Sequence, residues 1–135
     1  LKAFFSKLLT QLDGRPLLAW LLWCGYAGLI FYLSSQPLGS ELDLLPPGTD
    51  KLIHAIEYAI FGALTYHALG ASFRPWHSRR LHLVVAIAIG IAYGASDEFH
   101  QSFVPTRDSD PRDVVADTIG TVIGAWSLAR FRRMI

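Results

Sequence analysis

Apolar residues along the chain gather into four long runs separated by short polar stretches. The first extends from Pro16 to about Ser34 (PLLAWLLWCGYAGLIFYLS), and at 1.5 Å per residue such a run reaches about 28 Å, close to the thickness of a bilayer core. The second begins at Leu52, the third at Leu81 and the fourth at Val114. Pro16 stands at the start of its run, where helices accept proline, and Pro37, Pro46, Pro47 and Gly48 break the chain before the second run. The pattern predicts an all-α integral membrane bundle of four transmembrane helices, over about 16–34, 52–72, 81–97 and 114–130, forming one domain over residues 1–135. Lys2, Lys7 and Arg15 ahead of the first run raise the alternative of a cleaved signal peptide. The run is longer than a signal-peptide core and no A-x-A site follows it, so a retained helix is expected.

Composition strengthens the membrane reading. Of 135 residues, 52% are hydrophobic and only 17% charged, and the mean hydropathy is +0.33. A small soluble domain has too little interior to hide that much apolar surface. The formal charge of +1, from 12 basic and 11 acidic residues, leaves no basic stripe for nucleic acid. Cys24 is the lone cysteine and sits inside the first run, so these residues form no internal disulfide and no cysteine zinc site.

The distribution of charge says more than its sum. Lys2, Lys7 and Arg15 precede the first run, Arg74, Arg79 and Arg80 lie between the second and third, and Arg130, Arg132 and Arg133 close the fourth. Lys and Arg near membrane ends favour the cytoplasmic side, so both termini are expected inside. The other two connections are mixed and largely acidic, with Glu41, Asp43, Asp50 and Lys51 in one and Glu98, Arg107, Asp108, Asp110, Arg112 and Asp113 in the other. Trp20, Trp76 and Trp126 then fall toward the inside, with His67, His77 and His82 at that interface and His100 at the outer one. The pairs Gly90–Gly94 and Gly120–Gly124 have the GxxxG spacing that allows close helix approach, within the chain or in a homo-oligomer.

On this topology three short polar faces reach one depth at the outer side. Asp50, His54 and Glu57 share a face of the second helix, Asp97 and Gln101 a face of the third, and Asp113 and Asp117 a face of the fourth. Glu57 and Asp117 lie inside their apolar runs, where an ionisable group is costly unless paired, hydrated or turned into the bundle. Such residues are candidates for function. The plainer alternative is a structural network in which Lys51 and Arg107 neutralise the carboxylates. His54 suits a general base, a proton relay or a metal ligand, or equally a hydrogen-bonded helix contact. With Glu57, Asp97 and Asp117 it offers a mixed nitrogen and oxygen ligand set for a divalent metal such as Zn²⁺, Mn²⁺ or Mg²⁺. Lys51 and Arg107 would oppose a cation unless they serve an anionic substrate.

Taken together, Asp50-Lys51-x-x-His54-x-x-x-Tyr58, Asp97-Glu98-x-x-Gln101, Arg107, Asp113, Gly120 and Gly124, with Ser34-Ser35-Gln36-Pro37 ahead of them, resemble the VanZ-like family of bacterial membrane proteins. One departure is Asp117, where the family commonly has Asn. The resemblance implies a multi-spanning inner-membrane protein, and the family's founding member is associated with resistance to the glycopeptide teicoplanin. The reading that follows is a polar site at the outer leaflet for an anionic, lipid-linked envelope molecule. Lys51 and Arg107, with Asp50, Tyr58, Gln101 and Asp113, would bind it, and His54, Glu57, Asp97, Glu98 and Asp117 would carry acid/base or metal-assisted hydrolysis. A lipid translocator and a non-catalytic scaffold are the alternatives. The first needs polar groups continuing through the bundle, and between Glu57 and His67 the second helix is apolar apart from Thr65 and Tyr66, while the third offers little besides Tyr93.

Overall fold

A computed structural model describes residues 2–37, 46–73 and 78–134. Five helices follow in order: α1 (Lys2–Asp13), α2 (Pro16–Ser34), α3 (Thr49–Ser72), α4 (Arg79–Gln101) and α5 (Pro111–Phe131). The all-α expectation holds, and α2 has the bounds read from the apolar pattern. The other three runs grow at their polar ends, because a helical hydrogen-bond ladder continues until it is capped, not until the residues turn polar. Gly48, at φ 85, leads into α3. Ser78 accepts from the Leu81 amide at 3.3 Å to start α4. Asp110 accepts from the Arg112 amide at 2.9 Å, with Pro111 at the first position of α5. The unforeseen element is α1, whose 12 residues (KAFFSKLLTQLD) are too short and too mixed to register as an apolar run.

Among the described residues three helices, α2, α4 and α5, are long and apolar enough to cross a membrane. With 24 residues α3 has the length but is not among them, because Asp50, Lys51, His54, Glu57 and His67 lie along it. The expectation of four spans is therefore met for three. The physical reason is position: α3 packs against α1, α2, α4 and α5, and a helix enclosed by others need not be lipophilic on every side. Elsewhere the molecule is apolar outward. Leu17 is 73% exposed, Val84 62% and Val115 57%, while the buried set is rich in alanine (Ala19, Ala68, Ala86, Ala125) and in polar side chains. That inversion suits a lipid solvent.

Both glycine pairs are used inside the chain. A Cβ on Gly120 or Gly124 would run into the backbone carbonyl of Ala55 or Ala59, and one on Gly62 into the backbone of Thr121. The backbones of α3 and α5 therefore touch. On α4, Gly90 makes room for the Thr121 side chain and Gly94 for that of Asp117. Small residues, not large apolar ones, set these helix spacings.

Between the two ends of the bundle lies an aromatic layer. Phe61 stacks on Tyr93 with ring centroids 4.9 Å apart, Tyr58 sits 5.7 Å from Phe61, and Trp23 packs on Phe61 at 5.4 Å. The Trp23 indole donates to Thr65 Oγ1 at 2.8 Å and the Tyr93 hydroxyl to the Ala27 carbonyl at 2.7 Å, fastening α2 to α3 and α4. At the end that holds both termini, Arg132 donates to Asp13 Oδ1 at 2.7 Å and to His67 Nδ1, while Trp20 donates to Ser72 Oγ at 2.8 Å. His67 and His82, expected at a membrane interface, are instead buried at 4% and 7% exposure. Glu41, Asp43, Arg74, Trp76 and His77 lie outside the described residues.

Candidate functional site

The opposite end carries the polar residues singled out in the sequence. A cavity of about 780 Å³ opens there between the start of α3, the end of α4 and the segment leading into α5, with Ile30 and Leu33 of α2 and Ile53 of α3 on its apolar side. Asp50, Lys51, His54, Glu57, Asp97, Gln101, Arg107 and Asp113 all line it. The three predicted polar faces do meet at one depth.

At the base of the cavity His54 Nδ1 stands 3.0 Å from Asp117 Oδ1, and Asp117 is completely buried. Gly94 explains why the carboxylate fits, since a Cβ there would stand 2.8 Å from Asp117 Oδ2. A carboxylate accepts, so the contact places the imidazole proton on Nδ1 and leaves Nε2 as the basic nitrogen. Nε2 lies 4.0 Å from Asp113 Oδ2, on the cavity side. Spacing on α3 had offered Asp50 and Glu57 as neighbours of His54, but the partners that reach its ring come from α5, one turn apart on a single face.

At the rim Lys51 Nζ contacts Asp50 at 2.9 Å, Asp110 at 2.8 Å and Asp113 at 2.6 Å. An ammonium has three donors, and all three are engaged. The Lys51 ammonium, helped by the Arg112 amide, holds the Asp110 carboxyl below its ordinary range. Arg107 turns away from the carboxylates and donates from Nε to the Gln36 carbonyl at 3.0 Å and from Nη2 to the Leu33 carbonyl at 2.8 Å. It thereby meets one carbonyl in the last turn of α2 and one just past the helix end, where a cation is favoured. The residue before it, Thr106, has φ 67, a left-handed conformation that a β-branched residue adopts only against strain. Sequence reasoning missed Asp110, which meets both Lys51 and Glu98, and, near the end of α2, Ser34, Gln36 and Thr106. Only the Ser-Ser-Gln-Pro signature had pointed near them.

The acidic residues of α4 separate into two roles. Asp97 accepts from Gln101 at 3.2 Å, one turn away on the same face. Glu98 points toward α5, where its Oε2 accepts from the Asp110 amide at 2.8 Å. His54, Glu98 and Asp117, all buried, each bring a donor atom within 4.8 Å of the others. Glu57 and Asp97, named with His54 and Asp117 from the sequence, are not in that group. Glu57 lines the cavity and its backbone carbonyl accepts from Tyr26 at 3.1 Å. Tyr58, on the face of His54, is fully buried, and its hydroxyl has no hydrogen-bond partner among the described residues. His100 meets Ser35 Oγ at 2.9 Å and the Phe31 ring at 4.5 Å, between α4 and the end of α2.

Apolar spans, an alanine-rich and polar interior, and a polar cavity at one helix end define a multi-pass membrane protein with a candidate site at one face of the bundle. The chain belongs to the VanZ/LLP1 family, whose model matches residues 17–132. No curated protein and no solved structure matches it.

Proposed function

We propose that this protein takes the polar head of an anionic, lipid-linked envelope molecule into the cavity, at the outer leaflet of a bacterial inner membrane, and hydrolyses it. The observation that carries the reading is the buried Asp117–His54 pair at the base of a cavity with one apolar side. An amphiphile can lay its chain along Ile30, Leu33 and Ile53 and place its head beside His54. Nε2 of His54 would take a proton from water as the water oxygen attacks the phosphoryl or acyl centre. The same proton then passes to the departing oxygen. Asp117 orients the ring and offsets the charge it gains. Of the cations at the rim, Lys51 is the one able to exchange a partner. Its contact with Asp50 is the most exposed of the three, the Asp50 side chain being 58% accessible, so a substrate anion can replace that carboxylate.

The outer-leaflet assignment rests on Lys7, Arg15, Arg79, Arg80, Arg130 and Arg133 at the other end, with α3 as a fourth, interior span. The aromatic layer of Tyr58, Phe61 and Tyr93 favours a site closed toward that end over a translocation path. Any effect on glycopeptide susceptibility, including teicoplanin, would be a secondary result of altering an envelope lipid.

Detergent-purified protein incubated with bacterial polar-lipid extract tests the proposal, with the lipids followed by mass spectrometry. A phosphate- or carboxylate-bearing lipid should lose its head group with the wild type and persist with His54→Ala, provided that variant keeps its melting temperature. An extract left unchanged by the wild type, or changed equally by the variant, would overturn it.

A further inference from the structure

We infer that the site holds a divalent first-row transition-metal ion, of the Zn²⁺ or Mn²⁺ kind, between His54, Glu98 and Asp117. The three come from α3, α4 and α5, so their approach within 4.8 Å is made by the packing of the bundle and not by neighbours on one turn. Glu98 Oε1 and Asp117 Oδ2 are buried and have no hydrogen-bond partner among the described residues. A carboxylate oxygen left so is costly, and coordination to a cation removes the cost. His54 Nδ1 and Asp117 Oδ1, 3.0 Å apart, have the spacing taken by two donors that each stand about 2.0–2.2 Å from one ion. Coordination at Nδ1 puts the ring proton on Nε2, so His54 would bind as the neutral imidazole.

Charge points the same way. Lys51 is engaged by Asp50, Asp110 and Asp113, and Arg107 by backbone carbonyls, so neither hydrogen-bonds Glu98 or Asp117. An imidazole nitrogen with two carboxylate oxygens suits Zn²⁺ or Mn²⁺ better than Ca²⁺ or Mg²⁺, which prefer oxygen alone. Three protein ligands leave positions for water or substrate. The inference deepens the proposed function, because the ion would supply the positive charge an anionic head needs and would take over from His54 Nε2 the activation of water, but binding of the ion does not depend on that reading.

The test uses full-length protein purified in detergent without chelators, analysed by elemental mass spectrometry, then stripped and titrated with Co²⁺, Zn²⁺ and Mg²⁺. The expected results are near-stoichiometric transition metal, visible Co²⁺ bands abolished by Zn²⁺ but not by Mg²⁺, and a melting temperature raised by Zn²⁺. Glu98→Gln and Asp117→Asn should weaken Zn²⁺ binding at least tenfold. Asp108→Asn, an acidic rim residue outside the group, should bind as the wild type does. Absence of stoichiometric metal and of Co²⁺ bands in the wild type would overturn the site. Equal weakening by Asp108→Asn would overturn it too, by showing adventitious binding to an acidic cavity. The Co²⁺ spectrum of the wild type decides the matter even if a variant does not fold. Metal bound with no lipid processed would leave the ion site standing and overturn the head-group reading, and lipid processed without metal would do the reverse.

Discussion

The two polar ends of the bundle solve the same problem in opposite ways. Each buries a histidine of α3, His67 at one end and His54 at the other. Arg132 answers Asp13, and because a guanidinium only donates, His67 Nδ1 must accept, which puts its proton on Nε2. His54 faces a carboxylate and carries its proton on Nδ1. Buried acid and base are matched around Arg132. Around His54 the carboxylates Asp97, Glu98, Asp113 and Asp117 are all buried, and two of their oxygens, Glu98 Oε1 and Asp117 Oδ2, lack a partner among the described residues. The matched end looks like a fastening between α1, α3 and α5. The unmatched end has the excess charge expected where a substrate or ion completes the balance.

Breaking the fastening should give the largest effect. Arg132→Met leaves Asp13 without its guanidinium and should lower stability by about 3 kcal/mol, seen as a fall in the detergent melting temperature with lipid processing by the folded fraction unchanged. A melting temperature within error of the wild type would remove the contrast. Next, Asp117→Asn should cut lipid processing by about a hundredfold or more, through loss of the carboxylate that orients His54, while the stability of the metal-free protein holds or rises because a buried negative charge is gone. A loss of stability as large as that of Arg132→Met would make this end a fastening too. Tyr58→Phe is the finest probe. Removing a buried hydroxyl without a partner should raise stability by about 1 kcal/mol, and a lower stability would show that the hydroxyl is engaged.

Much of this was legible in the sequence. Hydropathy located α2 to the residue and found the interiors of α3, α4 and α5, because an apolar run reports what a helix must bury or present to lipid. It could not find α1, which is too short and mixed to make an apolar run, nor see that α3 owes its low lipophilicity to a central position. Helical spacing grouped Asp97 with Gln101 and Asp113 with Asp117, since periodicity is a property of one helix. Which helix supplies the partner of His54 is a property of packing between helices, and adjacent positions differ by about 100° around the axis. That rotation sends Glu98 toward α5 and Asp97 along α4, a choice no spacing within one segment reveals.

The contact of Gly120 and Gly124 with Ala55 and Ala59 makes α3 and α5 a single girder, with His54 next to the weld on α3 and Asp117 about one turn beyond it on α5. The girder fixes the separation of the two backbones that carry these side chains. Bulk added at Gly124, two turns below the chemistry, would act as a wedge and open that gap at the far end. Positions that never touch a ligand are therefore calibrating it.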